Sequence, residues 1–307
     1  MSKRDLLSIA DLTQKEIWEI LLLAKKLKNQ NKNFQQLKDK TLVMLFEKPS
    51  LRTKLSFDLA MYQLGGHSVY FGPKEVGLGK REAIKDVAKV ISRMGDYIMA
   101  RVFNHKSLVE LAQNSRVSVI NGLSDLEHPC QVLADLLTIF ESKKKLEGLT
   151  ITFVGDGNNN VSHSFVLACS LLGINFNCAS PRGFEMDGGI LEKAEEFAKK
   201  SKSQIKLFTN PCESVKGVDV IVTDSWVSMG KESEAVKRLK IFQPFQVNKK
   251  LFSLAKKDAI FLHCLPAHRN FEVTDDIIDS SASLVFQEAE NRLHAQKALL
   301  LFLKKYV

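Results

Sequence analysis

The strongest constraint on the fold is a repeated alternation of short apolar segments with longer amphipathic ones. Apolar runs such as Thr41 to Phe46 and Leu149 to Val154 have the length of buried strands, and each precedes residues that recur at helical spacing. Strands that alternate with helices form parallel sheets with helices on both faces. The chain is therefore predicted to be an α/β protein built from doubly wound parallel sheets.

A polar segment near the middle of the chain, Ser142 to Gly148, divides this alternation into two series. With 307 residues, the chain is long enough for two domains of ordinary size. We predict a first domain over residues 1–147 and a second over residues 148–289, each with its own sheet. A final amphipathic helix, at about residues 290–307, is expected to cross back to the first domain.

Composition narrows the class of protein. The chain is 45% hydrophobic and 26% charged, lacks an apolar stretch of bilayer length and lacks a secretory signal, which predicts a cytoplasmic protein without a membrane partner. Its five cysteines are scattered and free of C-x-x-C spacing, so neither a disulfide framework nor a zinc site is expected. The net charge of +9 is spread over helix faces, which favours solvated surface and an anionic small molecule over nucleic acid.

The segment after the first strand has the features of an anion site. Pro49 breaks the strand, Ser50 stands where a helix N-cap belongs, and Leu51 and Leu55 begin a helical repeat. The free N–H groups of the first turn, the helix dipole, two hydroxyls and the Arg52 guanidinium converge there. This pattern predicts a site for an oxyanion such as phosphate, and a capped helix with a solvent-facing arginine is the alternative.

Two nucleotide-binding interpretations fail on spacing. Gly155-Asp156-Gly157 follows a strand, but Asn160 stands at the third glycine of G-x-G-x-x-G, and no carboxylate follows the next strand. Gly72 and Gly77 have Walker spacing, but Leu78-Gly79 occupies the Lys and Ser/Thr positions. We therefore expect no dinucleotide, no NTP P-loop and no cofactor.

Polar residues cluster at the predicted carboxyl ends of strands, where open parallel sheets bind their ligands. Taken alone, each has a simpler explanation as a cap or a packing residue, but the clustering is difficult to explain by packing. The clusters are Ser50 to Thr53, Arg101 and His128 to Gln131 in the first domain, and Asn158 to Asn160, Asp224 to Gly230 and His263 to Pro266 in the second.

These motifs resemble those of the ornithine carbamoyltransferases, and the match runs almost from end to end. The resemblance implies two α/β domains that close on carbamoyl phosphate and L-ornithine to give L-citrulline and phosphate, a step of arginine biosynthesis. It also implies a homotrimer whose sites lie at subunit interfaces. The residues that carry the resemblance are Phe46 to Phe57, Met99 to Val102, Asn121 to Gln131, Asp224 to Gly230, His263 to Arg269 and Glu288 to Arg292.

The same resemblance implies roles for individual residues, and it implies no metal. The residues expected to bind carbamoyl phosphate are Ser50, Leu51, Arg52, Thr53, Gly77, Arg101, His128, Gln131, Cys264, Leu265 and Arg292. Those expected to bind ornithine are Asn160, Asp224, Ser228 and Met229. The expected catalytic residues are Arg101, His128, Asp224 and Cys264.

The chain departs from the family pattern in the phosphate loop and beyond it. Leu51 replaces a threonine and Lys54 the second arginine, which leaves fewer fork-shaped donors in the loop. Gly77 stands where many relatives have a glutamine or histidine that reaches the carbamoyl phosphate of a neighbouring subunit. An additional asparagine leaves Asn159 or Asn160 as the ornithine contact, and counting back from the following His-Ser pair selects Asn160.

Other acceptors and a non-catalytic role are the alternatives. Putrescine lacks the α-carboxylate over which Ser228 to Gly230 could fold, and the side-chain carboxylate of aspartate would be repelled by Asp224. A phosphate-binding or regulatory protein could keep the fold without activity. The chain retains both the residues expected to bind carbamoyl phosphate and those expected to bind ornithine, which argues against that interpretation.

Overall fold

The computed structural model describes residues 3–30, 34–227 and 232–306. Its strands are β1 (Thr41–Phe46), β2 (His67–Phe71), β3 (Tyr97–Arg101), β4 (Ser118–Leu123), β5 (Thr150–Val154), β6 (Asn175–Ala179), β7 (Ile205–Phe208), β8 (Val220–Thr223) and β9 (Ile260–His263).

The α-helices are α1 (Gln14–Lys28), α2 (Leu51–Gln63), α3 (Pro73–Val76), α4 (Ile84–Ile91), α5 (His105–Asn114), α6 (Pro129–Lys143), α7 (Asn160–Leu172), α8 (Gly188–Ser201), α9 (Pro211–Ser214), α10 (Ala235–Phe242), α11 (Lys249–Phe252), α12 (Asp275–Ile278) and α13 (Val285–Leu303). Short 3₁₀ helices cover Ile9–Asp11, Glu232–Glu234, Gln243–Phe245 and Lys304–Tyr306. No helix within the described ranges is both long enough and apolar enough to cross a bilayer.

The chain folds into two compact units. The first combines Met1–Leu137 with Glu290–Val307, and the second is Thr138–Ala289. From Glu290 onward, α13 therefore belongs to the first unit, as the sequence predicts. The boundary proposed between residues 147 and 148 lies in the connection between α6 and β5.

The first unit is built on a parallel sheet with strand order β2-β1-β3-β4. All residues of β3 and β4 are buried, whereas the edge strand β2 is partly exposed. The chain runs from β1 outward to β2 and then returns to β3 on the other side of β1. The carboxyl ends of β1 and β3 thus form the topological switch point at which such sheets bind ligands.

The second unit repeats this design with strand order β7-β6-β5-β8-β9, and all pairs are again parallel. Here β5 and β8 are neighbours although β6 and β7 separate them along the chain, so the switch point lies at their carboxyl ends. The edge strand β7 exposes Lys206, a charge of the kind that discourages pairing with another sheet. The predicted α/β class with two doubly wound sheets is confirmed.

Local signals explain several helix boundaries. A capping box begins α1, because Thr13 Oγ1 accepts the Glu16 N–H (3.2 Å) while Glu16 Oε2 accepts the Thr13 N–H (2.8 Å). The glycine-rich segment after β2 contains the short helix α3, which begins with a proline after Gly72. The last helix begins at Val285 rather than near residue 290.

Candidate active site

The loop between β1 and α2 is held in place by its own hydroxyl groups. Ser50 is the N-cap of α2, as predicted, and its Oγ accepts the Thr53 N–H (3.3 Å). The same Oγ donates a hydrogen bond to Thr53 Oγ1 (3.0 Å), and the Thr53 side chain is fully buried. The first turn of α2 therefore presents its free N–H groups from a preorganised loop.

Arg292 on α13 joins this loop although the sequence separates them widely. Its Nη2 donates to Thr53 Oγ1 at 2.6 Å, and both residues belong to the first unit. Arg292 is itself buried, which places its positive charge beside the helix N-terminus. The combination strengthens the preference of the loop for an anion.

The remaining residues of the loop differ in what they can offer a ligand. Arg52 is half-buried, and its Nε has no hydrogen-bond partner within the described part of the chain. The Leu51 side chain is 78% exposed, while the Lys54 ammonium lies 4.0 Å from the centroid of the Tyr70 ring. The Arg52 Nε therefore has donor capacity left for a bound anion.

Gly77 has the left-handed backbone conformation of a helix C-cap, with φ +47° at the end of α3. A side chain there would be strained, and a Cβ would lie 3.3 Å from Arg81 Cβ. Because glycine has no side chain, any contact of this position with carbamoyl phosphate must come from the backbone.

Arg101 and His128 stand at the same edge of the first sheet. Arg101 is the last residue of β3 and pairs with Phe46, the last residue of β1. His128 is buried just before α6, and its pKa lies well below its usual range because of burial and the nearby Arg292 and Arg101. The imidazole is therefore neutral near pH 7 and retains one ring N–H to donate.

Gln131 is the third residue of α6 and is fully buried. Its Nε2 donates to Asp135 Oδ1 at 2.7 Å, within the same helix. This hydrogen bond fixes the side-chain amide, so its orientation is set before any ligand arrives.

In the second unit, the predicted Asp224 is held from two sides at the switch point. Asn159 Nδ2 donates to Asp224 Oδ2 (3.0 Å), and the Cys264 thiol donates to Asp224 Oδ1 (3.2 Å). These three residues follow β5, β8 and β9 respectively. The arrangement is a fixed carboxylate next to a thiol, which suits an amine or ammonium ligand.

The two candidate asparagines have different surroundings. Asn159 is the N-cap of α7, and its Oδ1 accepts the Val161 N–H (2.7 Å) while its amide reaches Asp224. Asn160 is the first residue of α7 and is half-buried. Its contact with ornithine stays a prediction, and Ser228 and Met229 lie outside the described residues.

His263 and Glu272 support the loop that carries Cys264. The His263 Nδ1 accepts the Leu265 N–H (2.9 Å), so the ring proton is on Nε2, which lies 3.2 Å from Glu272 Oε1. Both side chains are buried, and Leu265 has a positive φ of 55°, which is uncommon for a residue with a side chain. The hydrogen-bonded pair of His263 and Glu272 thus stabilises the unfavourable backbone conformation at Leu265.

The same geometry limits metal binding. Asp224, His263 and Cys264 have potential ligand atoms within 4.8 Å of one another. Both nitrogens of His263 already take part in the hydrogen bonds described above. Only Asp224 and Cys264 of this cluster could therefore bind a metal ion, whereas a typical site has three or four protein ligands.

Sequence reasoning missed a buried ion pair next to this half-site. Arg238 on α10 pairs with Asp156, which follows β5, and neither residue was predicted to matter. An arginine in a lysine-rich amphipathic helix resembles a surface residue, and no local pattern reveals that its side chain is buried.

Comparison with known proteins accounts for both units. Residues 4–141 match the family model described as "Aspartate/ornithine carbamoyltransferase, carbamoyl-P binding domain", and residues 147–303 match the model of its "Asp/Orn binding domain". The chain belongs to the aspartate/ornithine carbamoyltransferase family. In this carbamoyltransferase, the anion loop with Arg101 and His128 lies in the unit that the first model covers, and Asp224 lies in the other.

Individual relatives of this carbamoyltransferase are similar over nearly their whole length. The chain is 50% identical to "Ornithine carbamoyltransferase, anabolic" of Pyrococcus furiosus over 98% of its own length and 96% of the relative. It is 46% identical to "Ornithine carbamoyltransferase, catabolic" of Thermoplasma acidophilum over the full length of both. The solved structure of an ornithine carbamoyltransferase from Pyrococcus furiosus has a TM-score of 0.95 at 50% identity, covering 98% of this chain and 97% of that one.

Proposed function

We propose that this chain is an ornithine carbamoyltransferase, which transfers the carbamoyl group of carbamoyl phosphate to the side-chain amine of L-ornithine. The products are L-citrulline and phosphate. The observation that carries the proposal is the Asp224 carboxylate held by Asn159 and Cys264 at the switch point of the second sheet. A fixed negative charge attracts the side-chain amine of ornithine and repels the side-chain carboxylate of aspartate. The names of the two relatives support the same acceptor.

Carbamoyl phosphate is assigned to the first domain, residues 1–147 with 290–307. Its phosphate would accept hydrogen bonds from the first turn of α2, from Ser50 and Thr53, and from the guanidinium groups of Arg52 and Arg101. Leu51 and Gly77 would contribute backbone contacts. This assignment is supported by the capped helix and by the unused Nε of Arg52.

The carbamoyl end would lie near His128, with Gln131 and Arg292 beside it. A neutral imidazole can donate a hydrogen bond to the carbonyl oxygen, and guanidinium groups stabilise the charge that grows there as the amine attacks. The resemblance also assigns Cys264 and Leu265 to this end, and that assignment remains part of the proposal. Asp224 and Cys264 act on the acceptor amine.

The reaction itself needs one deprotonation and one displacement. The alkylammonium of ornithine, with a pKa of about 10, first loses a proton to solvent, because only the neutral amine has a lone pair. The nitrogen then forms a bond to the carbonyl carbon, the bond from that carbon to the phosphate oxygen breaks, and a second amine proton leaves with the phosphate. Holding both substrates in place supplies much of the acceleration.

Ornithine is assigned to the second domain, residues 148–289. Asp224 orients the amine, Asn160 is the proposed contact that opens α7, and Ser228 and Met229 are the proposed contacts for the amino-acid end. The α-carboxylate distinguishes ornithine from putrescine, so groups that pair with it set the specificity.

We also propose that the chain assembles as a homotrimer. An exposed apolar stripe runs along α2 from the phosphate loop, with Tyr62 74% exposed and Leu51, Leu55 and Leu59 on the same face. A stripe of this kind is suited to a subunit interface. Sedimentation equilibrium should give a trimer or a multiple of it, and Tyr62→Asp combined with Leu55→Asp should shift the protein toward monomer, whereas monomeric wild type would contradict the assembly.

The cellular setting is proposed from thiol chemistry and from the names of the relatives. Five free thiols suit the reducing cytoplasm. We place the reaction in arginine biosynthesis, since the name of the Pyrococcus furiosus relative includes the word "anabolic". Complementation of an arginine auxotroph that lacks this activity tests the pathway, and failure by an active, expressed protein would favour the catabolic direction named for the Thermoplasma acidophilum relative.

An assay of carbamoyl transfer with a panel of amines tests the activity. Ornithine, putrescine and aspartate are supplied with carbamoyl phosphate, and each carbamoylated product is quantified. We expect kcat/KM for ornithine to exceed that for putrescine by roughly a hundredfold or more, because buried polar groups left unpaired discriminate strongly. Comparable activity on putrescine or aspartate would overturn the ornithine assignment, and no transfer to any amine would overturn the activity.

A further inference from the structure

Arg238 is a buried charge on a helix whose other basic residues face solvent. The side chain is 1% exposed, whereas its neighbours Lys237 and Lys240 on α10 are exposed. Burying a guanidinium is strongly unfavourable unless it is paired and fully hydrogen-bonded. The contacts that satisfy this charge therefore indicate what the residue does.

Arg238 Nη1 lies 3.6 Å from the exposed carboxylate of Glu234 one turn earlier in the chain, and its two buried polar partners lie after two different strands. Its Nη2 pairs with the carboxylate of Asp156, which is 2% exposed and follows β5. Its Nε donates to the backbone carbonyl of Trp226 (2.5 Å), which follows β8. One planar guanidinium thus connects the two segments that form the switch point of the second sheet.

Each of these segments carries a residue of the proposed amine site. Asp156 Oδ1 accepts the Asn158 N–H (3.1 Å), so the Asp156 side chain also shapes the loop that ends at Asn159. Trp226 is separated from Asp224 by a single residue. The connection through Arg238 therefore runs parallel to the direct hydrogen bond from Asn159 to Asp224.

Aromatic rings hold the guanidinium in a single orientation. Its central carbon lies 4.9 Å from the centroid of the Phe184 ring and 5.1 Å from that of Phe242. The Trp226 indole stacks on Phe242 with centroids 6.0 Å apart. Cation–π contacts of this kind, together with the fork-shaped donors, fix the plane of an arginine in a way that lysine cannot reproduce.

We propose that Arg238 is a positioning residue of the ornithine half-site, which keeps the loop after β5 and the segment after β8 in register so that Asn159 meets Asp224. The inference rests on the proposed function for its ligand, but it concerns a buried residue outside the set proposed to contact the substrates. It also explains the use of a charged pair at this point, since an ion pair gives orientation where an apolar pair would give only packing.

The test compares two variants of the pair with a matched control. Arg238→Lys keeps the charge but cannot reach Asp156 and the Trp226 carbonyl together, and Asp156→Asn removes the charge of the partner. The control is Lys256→Met, which breaks the Lys256–Asp219 ion pair (2.7 Å) at the opposite end of β8. For each folded protein, kcat, the KM for ornithine and the Kd for carbamoyl phosphate are measured, with the thermal midpoint.

Both variants of the pair should raise the KM for ornithine about tenfold or more, since small misplacements of binding groups weaken substrate binding strongly. The Kd for carbamoyl phosphate should stay within about twofold, and Lys256→Met should lower the thermal midpoint without changing the KM for ornithine. An unchanged KM in folded Arg238→Lys, or equal losses for both substrates, would overturn the positioning role. Wild type that forms no citrulline would instead refute the proposed function.

Discussion

The side-chain amide of Asn159 caps α7 through its oxygen and donates to Asp224 Oδ2 through its nitrogen. A helix cap and the proposed amine site therefore share one side chain. The consequence is that the loop after β5 and the carboxylate after β8 cannot shift independently. The oxygen and the nitrogen of this amide can be tested separately, because different substitutions remove one function and keep the other.

Asn159→Ser should weaken ornithine binding while leaving the fold nearly as stable. Serine caps helices about as well as asparagine, but its shorter hydroxyl cannot reach Asp224. We expect the KM for ornithine to rise by about tenfold and the thermal midpoint to change little. Asn159→Ala should lose about 1 kcal/mol of stability as well, because it removes the cap.

Asn160→Ala is the comparison for Asn159→Ser, since its effect should come from direct contact alone. It should raise the KM for ornithine without changing stability or the KM for carbamoyl phosphate. If Asn160→Ala has wild-type kinetics, then Asn159 is the functional asparagine and the register chosen from the sequence is wrong.

Arg52→Ala should weaken carbamoyl phosphate binding by about 2 kcal/mol, or about thirtyfold, because it removes a charge-assisted contact. Isothermal calorimetry measures this directly. Lys54→Ala is the matched control, since it removes a cation from the same helix turn whose ammonium lies over the Tyr70 ring. Unchanged affinity in a folded Arg52→Ala protein would place the anchor elsewhere.

His128 should make stability fall at acid pH. Its pKa in the folded protein lies well below the value of 6.5 that it has when unfolded, because of burial and the neighbouring Arg292 and Arg101. Below about pH 6.5 the unfolded state therefore binds a proton that the folded state does not, and stability falls by up to about 1.4 kcal/mol per pH unit.

Urea unfolding between pH 7.5 and 5 measures this dependence. Because glutamine does not titrate, the unfolding free energy of His128→Gln should fall less steeply with decreasing pH than that of wild type. The difference in slope should correspond to at most one proton taken up on unfolding. Identical slopes for wild type and His128→Gln would contradict the assignment of a buried neutral imidazole.

Thiol alkylation should separate the cysteines into three groups. Cys212 is exposed, Cys264 is half-buried, and the others are buried. Burial raises the pKa of Cys130 and Cys178 to about 12 and also raises the pKa of Cys169, so these three should resist labelling. In a Cys212→Ser background, carbamoyl phosphate with an ornithine analogue should slow the labelling of Cys264.

Cys264→Ser should lower turnover without unfolding the protein, since serine keeps a donor for Asp224 but changes its length and acidity. Equal rates of Cys264 labelling with and without ligands would indicate a packing role instead.

Residues that act within a few positions of one another were predictable from the sequence. The Ser50 cap, the Thr13 capping box and the alternation of strands with helices depend on local hydrogen bonds and on hydrophobic periodicity, which the order of residues determines directly. The polar residues at strand ends were predictable for a related reason. Parallel strands bring their carboxyl ends to one edge whatever the details of packing.

Contacts between distant segments were decided only by the tertiary structure. The meeting of Arg292 with Thr53, the burial of Arg238 against Asp156, and the choice of Asn159 as the partner of Asp224 depend on side-chain directions that no periodic pattern encodes. A buried charge or amide must find its partner in three dimensions, because leaving it unpaired costs more than any local preference contributes. The sequence alone thus determined the α/β fold and the sheet edges at which the polar residues cluster, and the folded structure determined which side chains hold those edges in place.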